Sequence, residues 1–156
     1  MVDDEGPELA HDPPPAPPLA RMAIALLALI GVLVAVYLSL YKLGVIGGIT
    51  CQVGSCEQVQ ASPWAVLLGI PVAVWGVGAY LAILAIALLG LQPAYVHSRR
   101  VALALFGLSA VGVAFSAYLT YIEAYVIEMW CQWCVTSAVI ITVIFLLSIP
   151  GLRRAR

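Results

Sequence analysis

Residues 22–41 read MAIALLALIGVLVAVYLSLY, an uncharged run whose only side-chain hydroxyls, on Tyr37, Ser39 and Tyr41, fall in its last five residues. A hydrocarbon core about 30 Å thick takes roughly 20 helical residues to cross. Within it, every backbone N–H and C=O must be satisfied inside the segment, which a helix does. The run is therefore predicted to be a transmembrane helix. Three more stretches of the same kind follow, at Trp64–Leu91, Val101–Ile122 and Trp133–Leu152. Across 156 residues the chain is 63% hydrophobic and only 10% charged, far from the composition of a soluble domain. The fold class expected is all-α, an integral membrane bundle of four transmembrane helices. Membrane lipid is its expected solvent, nucleic acid is not an expected partner, and no room is left for a second soluble domain.

Charge is segregated along the chain. Five of the eight acids, Asp3, Asp4, Glu5, Glu8 and Asp12, precede a run of prolines at Pro13, Pro14, Pro15, Pro17 and Pro18. Such a segment cannot bury enough apolar surface to fold, so residues 1–20 are expected to be a disordered acidic tail and residues 21–156 the membrane domain. A cleaved signal peptide would need a basic start and a shorter apolar core. Short cytoplasmic segments retain Lys and Arg. With both termini in the cytoplasm, Arg21, Arg99, Arg100, Arg153, Arg154 and Arg156 face inward and only Lys42 faces out. The connections Gly44–Pro63 and Glu123–Trp130 then lie on the extracytoplasmic side of a multi-pass cell-membrane protein.

The first outer connection is rich in glycine and reads as a loop with one short helical turn near Glu57–Gln60. In the second span Gly69, Pro71, Gly76 and Gly78 suggest close helix packing and a kink. The tyrosines Tyr118, Tyr121 and Tyr125 are expected to anchor at the interface. His97 is expected to be a solvated loop residue, and Glu57, Glu123 and Glu128, the only acids outside the tail, are expected at solvated loop positions.

Four cysteines form two close pairs, Cys51 and Cys56 in CQVGSC and Cys131 and Cys134 in CQWC. The topology puts both pairs on the oxidising side, where such pairs suggest disulfides. The C-x-x-C pair opens the fourth helix, whose free N–H groups and dipole stabilise a thiolate. The loop pair reads as flexible and exposed, able to meet a soluble partner. Exchange between the pairs would move electrons from water to bilayer. Two further readings remain open on spacing alone. One is a membrane binding or assembly protein with purely structural disulfides; the other is a four-cysteine zinc site.

Taken together, these residues make the chain similar to a bacterial vitamin K epoxide reductase homologue of the single-domain type, without a fused thioredoxin domain. The resemblance rests on Cys51 and Cys56, on Ser62 six residues after Cys56, on the LLGIP stretch with Gly69 and Pro71, and on CQWCVTSA. In the DsbB type the C-x-x-C lies in the first outer loop, whereas here it comes last. The resemblance implies that Cys131 and Cys134 are the active-site pair beside a quinone, menaquinone or ubiquinone, with Cys134 the sulfur that meets the ring. It further implies that Cys131 exchanges with Cys56, and that Cys51 receives electrons from a DsbA-like thioredoxin-fold protein. Ser62 would orient a thiolate or a quinone oxygen, or else act as a helix N-cap before Pro63. The quinone site is expected to involve Cys134, Ser62, Trp64 and the position of Ala138, with no metal; Trp75, Trp130 and Trp133 are further candidates for its walls. Vertebrate relatives carry a tyrosine where Ala138 stands, and a longer spacing in the loop pair, so quinone rather than epoxide is the expected substrate.

Overall fold

The computed structural model describes residues 19–154. Residues 1–18 of the expected acidic tail and the side-chain charges of Arg154 and Arg156 lie outside the described residues, while Leu19 and Ala20, assigned to that tail, open the first helix instead. Four long helices cover the apolar stretches: α1 (Leu19–Lys42), α3 (Val72–Leu89), α4 (Arg99–Ile122) and α5 (Gln132–Arg154). All four are long and apolar enough to cross a membrane. A short helix α2 (Cys56–Ala61) lies between the first two, where a single helical turn was expected.

In α1, Ile24, Ala28, Gly31, Ala35 and Leu38 recur at helical spacing and are buried. They face α3 and α5, while α4 packs on α5. Burial is concentrated in a mid-bundle core that includes Ile24, Ala28, Tyr80, Ile83, Leu105, Ile141 and Ile144. Apolar packing offers no solvophobic drive inside lipid, so close approach of backbones is what holds such helices together. Gly31 provides it, because a methyl there would overlap the Tyr80 ring. That ring is fixed in turn by its hydroxyl, which donates to the Ser137 carbonyl at 2.8 Å and lies 2.9 Å from the Ser137 hydroxyl. Gly112 plays a similar part against Ile141. Gly78, read from the sequence as a packing residue, has open space beside it, and Gly76 makes only ordinary contact with Ala35.

The second span departs from the sequence reading. Its helix begins at Val72 and not at Trp64; the preceding residues form a 3-10 turn (Pro63–Ala65) and a small antiparallel hairpin, β1 (Val66–Leu67) with β2 (Ile70–Pro71). Leu68 and Gly69 turn the hairpin with φ of 55° and 80°, a conformation in which glycine bears no Cβ penalty. Pro71, lacking an N–H, stands immediately before the first helical residue. The residues expected to kink a helix instead delay its start.

Arg21, expected as a cytoplasm-facing charge, is buried. Its guanidinium donates to the carbonyls of Gly90 and Tyr95, and Gly90 is the C-cap of α3. A cation there satisfies orphan carbonyls at the negative end of the helix dipole. At the opposite end α4 runs on into a π turn, Glu123–Ile127, and closes at Glu128 in the left-handed conformation. The connection from α4 to α5 is therefore shorter and more ordered than a loop from Glu123 to Trp130 would be.

Candidate active site

The second buried cluster sits at the end of the bundle that carries the hairpin and the π turn, and its members include Leu38, Ile49, Cys56, Val59 and Cys131. Cys51 and Cys56 are joined by a disulfide, while Cys131 and Cys134 are free. Cys56 and Cys131 are both fully buried (0% exposed) and share this cluster, with Cys51 and Cys134 packed against it. The four sulfurs named from the sequence are thus gathered at one place.

The loop carrying Cys51 is neither free nor flexible in the way its glycines suggested. Gly54 bridges to Cys131, and the Ser55 N–H donates to the Trp130 carbonyl at 2.8 Å. With φ of 92°, Gly54 brings its backbone so near that carbonyl that a side chain could not fit. The two residues between Cys131 and Cys134 do the rest. The side-chain oxygen of Gln132 accepts from the N–H groups of Gln52 and Val53, each at 3.1 Å, and the Trp133 indole N–H donates to the Thr50 carbonyl at 2.9 Å. Tyr37 completes the seat, accepting from the Thr50 N–H and meeting Trp133 edge to face at 5.1 Å. Backbone polar groups of a loop at a membrane surface are satisfied this way, and the loop disulfide is held over the start of α5.

Cys131 is the residue from which α5 starts, its carbonyl accepting from the Val135 N–H at 3.0 Å. Its thiol lies below the usual range, chiefly through a hydrogen bond from the Cys134 thiol, with the N–H groups of Cys134 and Trp133 adding to it; burial and the nearby Glu123 carboxylate oppose the shift. The Cys134 thiol first, and the helix start second, therefore favour the thiolate at Cys131. Cys134 lies one turn in, beside the Gln60 amide nitrogen, 3.9 Å from its sulfur.

Below Cys134 a cavity of about 360 Å³ opens along the seam between α3 and α4, which pack together less closely than α1 with α3, α1 with α5, or α4 with α5. Cys134, Ser62 and Trp64 line it, as do Gln60, Tyr80, Glu123 and Ser137. Most of its wall is aliphatic or aromatic. A volume of this size with apolar walls and a few polar groups gathered at one end suits a flat ring on a hydrophobic tail. Ala138 is not among the lining residues; its neighbour Ser137 is. Trp75 joins Trp64 on the wall, whereas Trp130 and Trp133 do not. The Ser62 hydroxyl donates to the Val59 carbonyl at 2.7 Å and caps no helix N-terminus.

Glu123 corrects the sequence reading most sharply. Expected in a solvated loop, it is 5% exposed, and its Oε2 accepts the Cys131 backbone N–H at 3.3 Å. Glu57 and Glu128 are exposed, as expected. Gln60 was also missed; its backbone carbonyl holds Lys42, and its side chain reaches Cys134. A helical turn starting at a loop cysteine was the available signal, since it aims residue i+4 back toward the same face as Cys56.

Against this geometry, the profile of the Vitamin K epoxide reductase family matches residues 22–149, all four membrane helices and both cysteine pairs included. The chain belongs to the vitamin K epoxide reductase family. It is accordingly a multi-pass membrane enzyme, a thiol oxidoreductase of a quinone-reducing family. The vitamin K epoxide reductase fold here consists of four membrane helices capped at one end by α2, the hairpin and the tethered cysteine loop.

Proposed function

We propose that this protein generates disulfides in proteins outside the cytoplasm, in a bacterial cell membrane. Electrons pass from the thiols of a DsbA-like thioredoxin-fold partner to Cys51–Cys56, then to Cys131 and Cys134, then to menaquinone or ubiquinone. The observation that carries this reading is the division of labour within the second pair. Cys131 is buried against Cys56, and Cys134 lines the apolar cavity.

In the first exchange a partner thiolate attacks Cys51, the half-buried member of the loop disulfide, and resolution of that mixed disulfide leaves the partner oxidised and Cys51 and Cys56 reduced. Cys56 then attacks Cys131 of an oxidised active-site pair, expelling Cys134 as thiolate. Cys51 attacks Cys56 in turn, which restores the loop disulfide and leaves Cys131 and Cys134 as the reduced pair. A bound quinone supplies the sink for their two electrons, and each exchange runs toward the more oxidising couple. Cys134, Ser62 and Trp64 are the residues that would meet the ring, with Ser137 presenting the hydroxyl that Ala138 lacks. Orientation with both termini in the cytoplasm is supported by the arginines at the Arg21 end and puts the cysteine loops outside.

The test separates the two pairs. In membranes, Cys51→Ala is expected to abolish quinone-dependent oxidation of a reduced thioredoxin-fold protein, while a small dithiol still drives turnover through Cys131 and Cys134. Equal loss with both reductants contradicts the shuttle role. Four cysteines that never cycle on thiol trapping would instead mark a stapled binding or assembly protein.

A further inference from the structure

An ionisable side chain within a transmembrane segment is costly and is kept out of lipid by partners or function. Glu123 lies where α4 passes into its π turn, and such widenings of a helix commonly occur at functional sites. Its own backbone is pinned, the carbonyl accepting from the Glu128 and Met129 N–H groups. The side chain is thereby fixed toward the interior, its Oε2 bonded to the Cys131 N–H, and it lines the cavity on the same wall as Cys134. The other titratable groups on that wall are Cys134 and Tyr80, and Tyr80 is committed to Ser137. Lys42, the only basic residue at this end of the described chain, is engaged by the Gln60 carbonyl. The wall hydroxyls of Ser116 and Thr120 can pass a hydrogen bond but cannot store a proton near neutral pH.

Resting on the quinone-reducing reading above, we infer that Glu123 is a catalytic residue that carries a proton from the Cys134 thiol to an oxygen of the quinone. In the reduced enzyme, the Sγ–H bond of Cys134 breaks and its proton moves to the Glu123 carboxylate. The Cys131 and Cys134 sulfurs then join in a disulfide, and their two electrons leave for the quinone. Glu123 delivers its proton to one quinone oxygen and returns to the carboxylate. The other quinone oxygen takes its proton from solvent, to which the Cys131 thiolate had already lost its own, and this completes the quinol. One thiol, one thiolate, a solvent proton and a quinone become one disulfide and one quinol, with Glu123 unchanged.

The experiment uses the full chain in detergent, wild type against Glu123→Gln and Glu123→Asp, each first checked for an unchanged thermal unfolding midpoint. Single-turnover reduction of a short-tailed benzoquinone is expected to slow about 100-fold or more in Glu123→Gln, the usual worth of a positioned acid–base group, and to recover in part in Glu123→Asp. Without quinone, alkylation of Cys134 by iodoacetamide, localised by peptide mass spectrometry, is expected to run several-fold faster in Glu123→Gln, because a negative charge beside the thiolate is gone. A purely structural role would slow both reactions or neither. Wild-type quinone rates in Glu123→Gln, or alkylation unchanged or slowed, overturn the inference. A wild-type chain that reduces no quinone overturns the parent reading instead, and the alkylation arm still decides whether the carboxylate and Cys134 share a proton.

Discussion

The Cys131 thiol is held below its usual range chiefly by the neighbouring Cys134 thiol, whereas Cys134 lies beside the Gln60 amide and, with Glu123, lines the cavity. One motif thus supplies a poised thiolate and a sulfur placed beside the acceptor site. Because the Cys131 thiol is lowered, its thiolate persists below the usual cysteine value of about 8.5 and is lost only as pH falls through the lowered value. Exchange of reduced Cys131 with the Cys51–Cys56 disulfide, followed by acid quench between pH 6 and 9, should accordingly begin to fall only at a pH below that at which an unperturbed cysteine loses its thiolate. A tenfold fall per pH unit beginning at about 8.5 contradicts the assignment. The two cysteine pairs themselves were legible from spacing and from their places at or beside the connections between spans. Glu123 and Gln60 were not. Gln60 meets Cys134 across 74 residues of sequence, and the π turn that rotates Glu123 inward breaks the 3.6-residue periodicity from which a buried face is read.

At the level of elements, apolar length foretold the helices but not where α3 starts. Hydropathy does not distinguish a membrane helix from the apolar hairpin at 66–71, whose tip residue Leu68 is 84% exposed; the Gly69 and Pro71 signals were visible and were read as a kink. Helix contacts were similarly half legible, since small residues announce close packing without naming the partner. The structure names Gly31 against Tyr80. Gly31→Ala should cost about 1–3 kcal/mol, the usual penalty for overpacking, read as a lower thermal or denaturant midpoint in detergent. Gly78→Ala, with nothing within 4 Å of the added methyl, should leave the midpoint unchanged or slightly raised. Equal losses at both positions would contradict this account of α1–α3 packing.

For the whole molecule, four apolar runs fixed the bundle because the bilayer permits few alternatives, and basic asymmetry supplied an orientation. The cavity was beyond that reasoning. It exists because α3 and α4 pack loosely while α1 ties α3 to α5, a property of pairwise contacts. Its placement joins the two halves of the chemistry: a loop disulfide locked over α5 by Gln132 and Trp133 at the membrane surface, and an apolar chamber reached through Cys134. The most direct test is quinone reduction driven by a small dithiol, measured for purified wild type and Cys134→Ala in detergent. The relay predicts turnover in wild type and none above background in Cys134→Ala; undiminished quinone reduction without the Cys134 sulfur would contradict it.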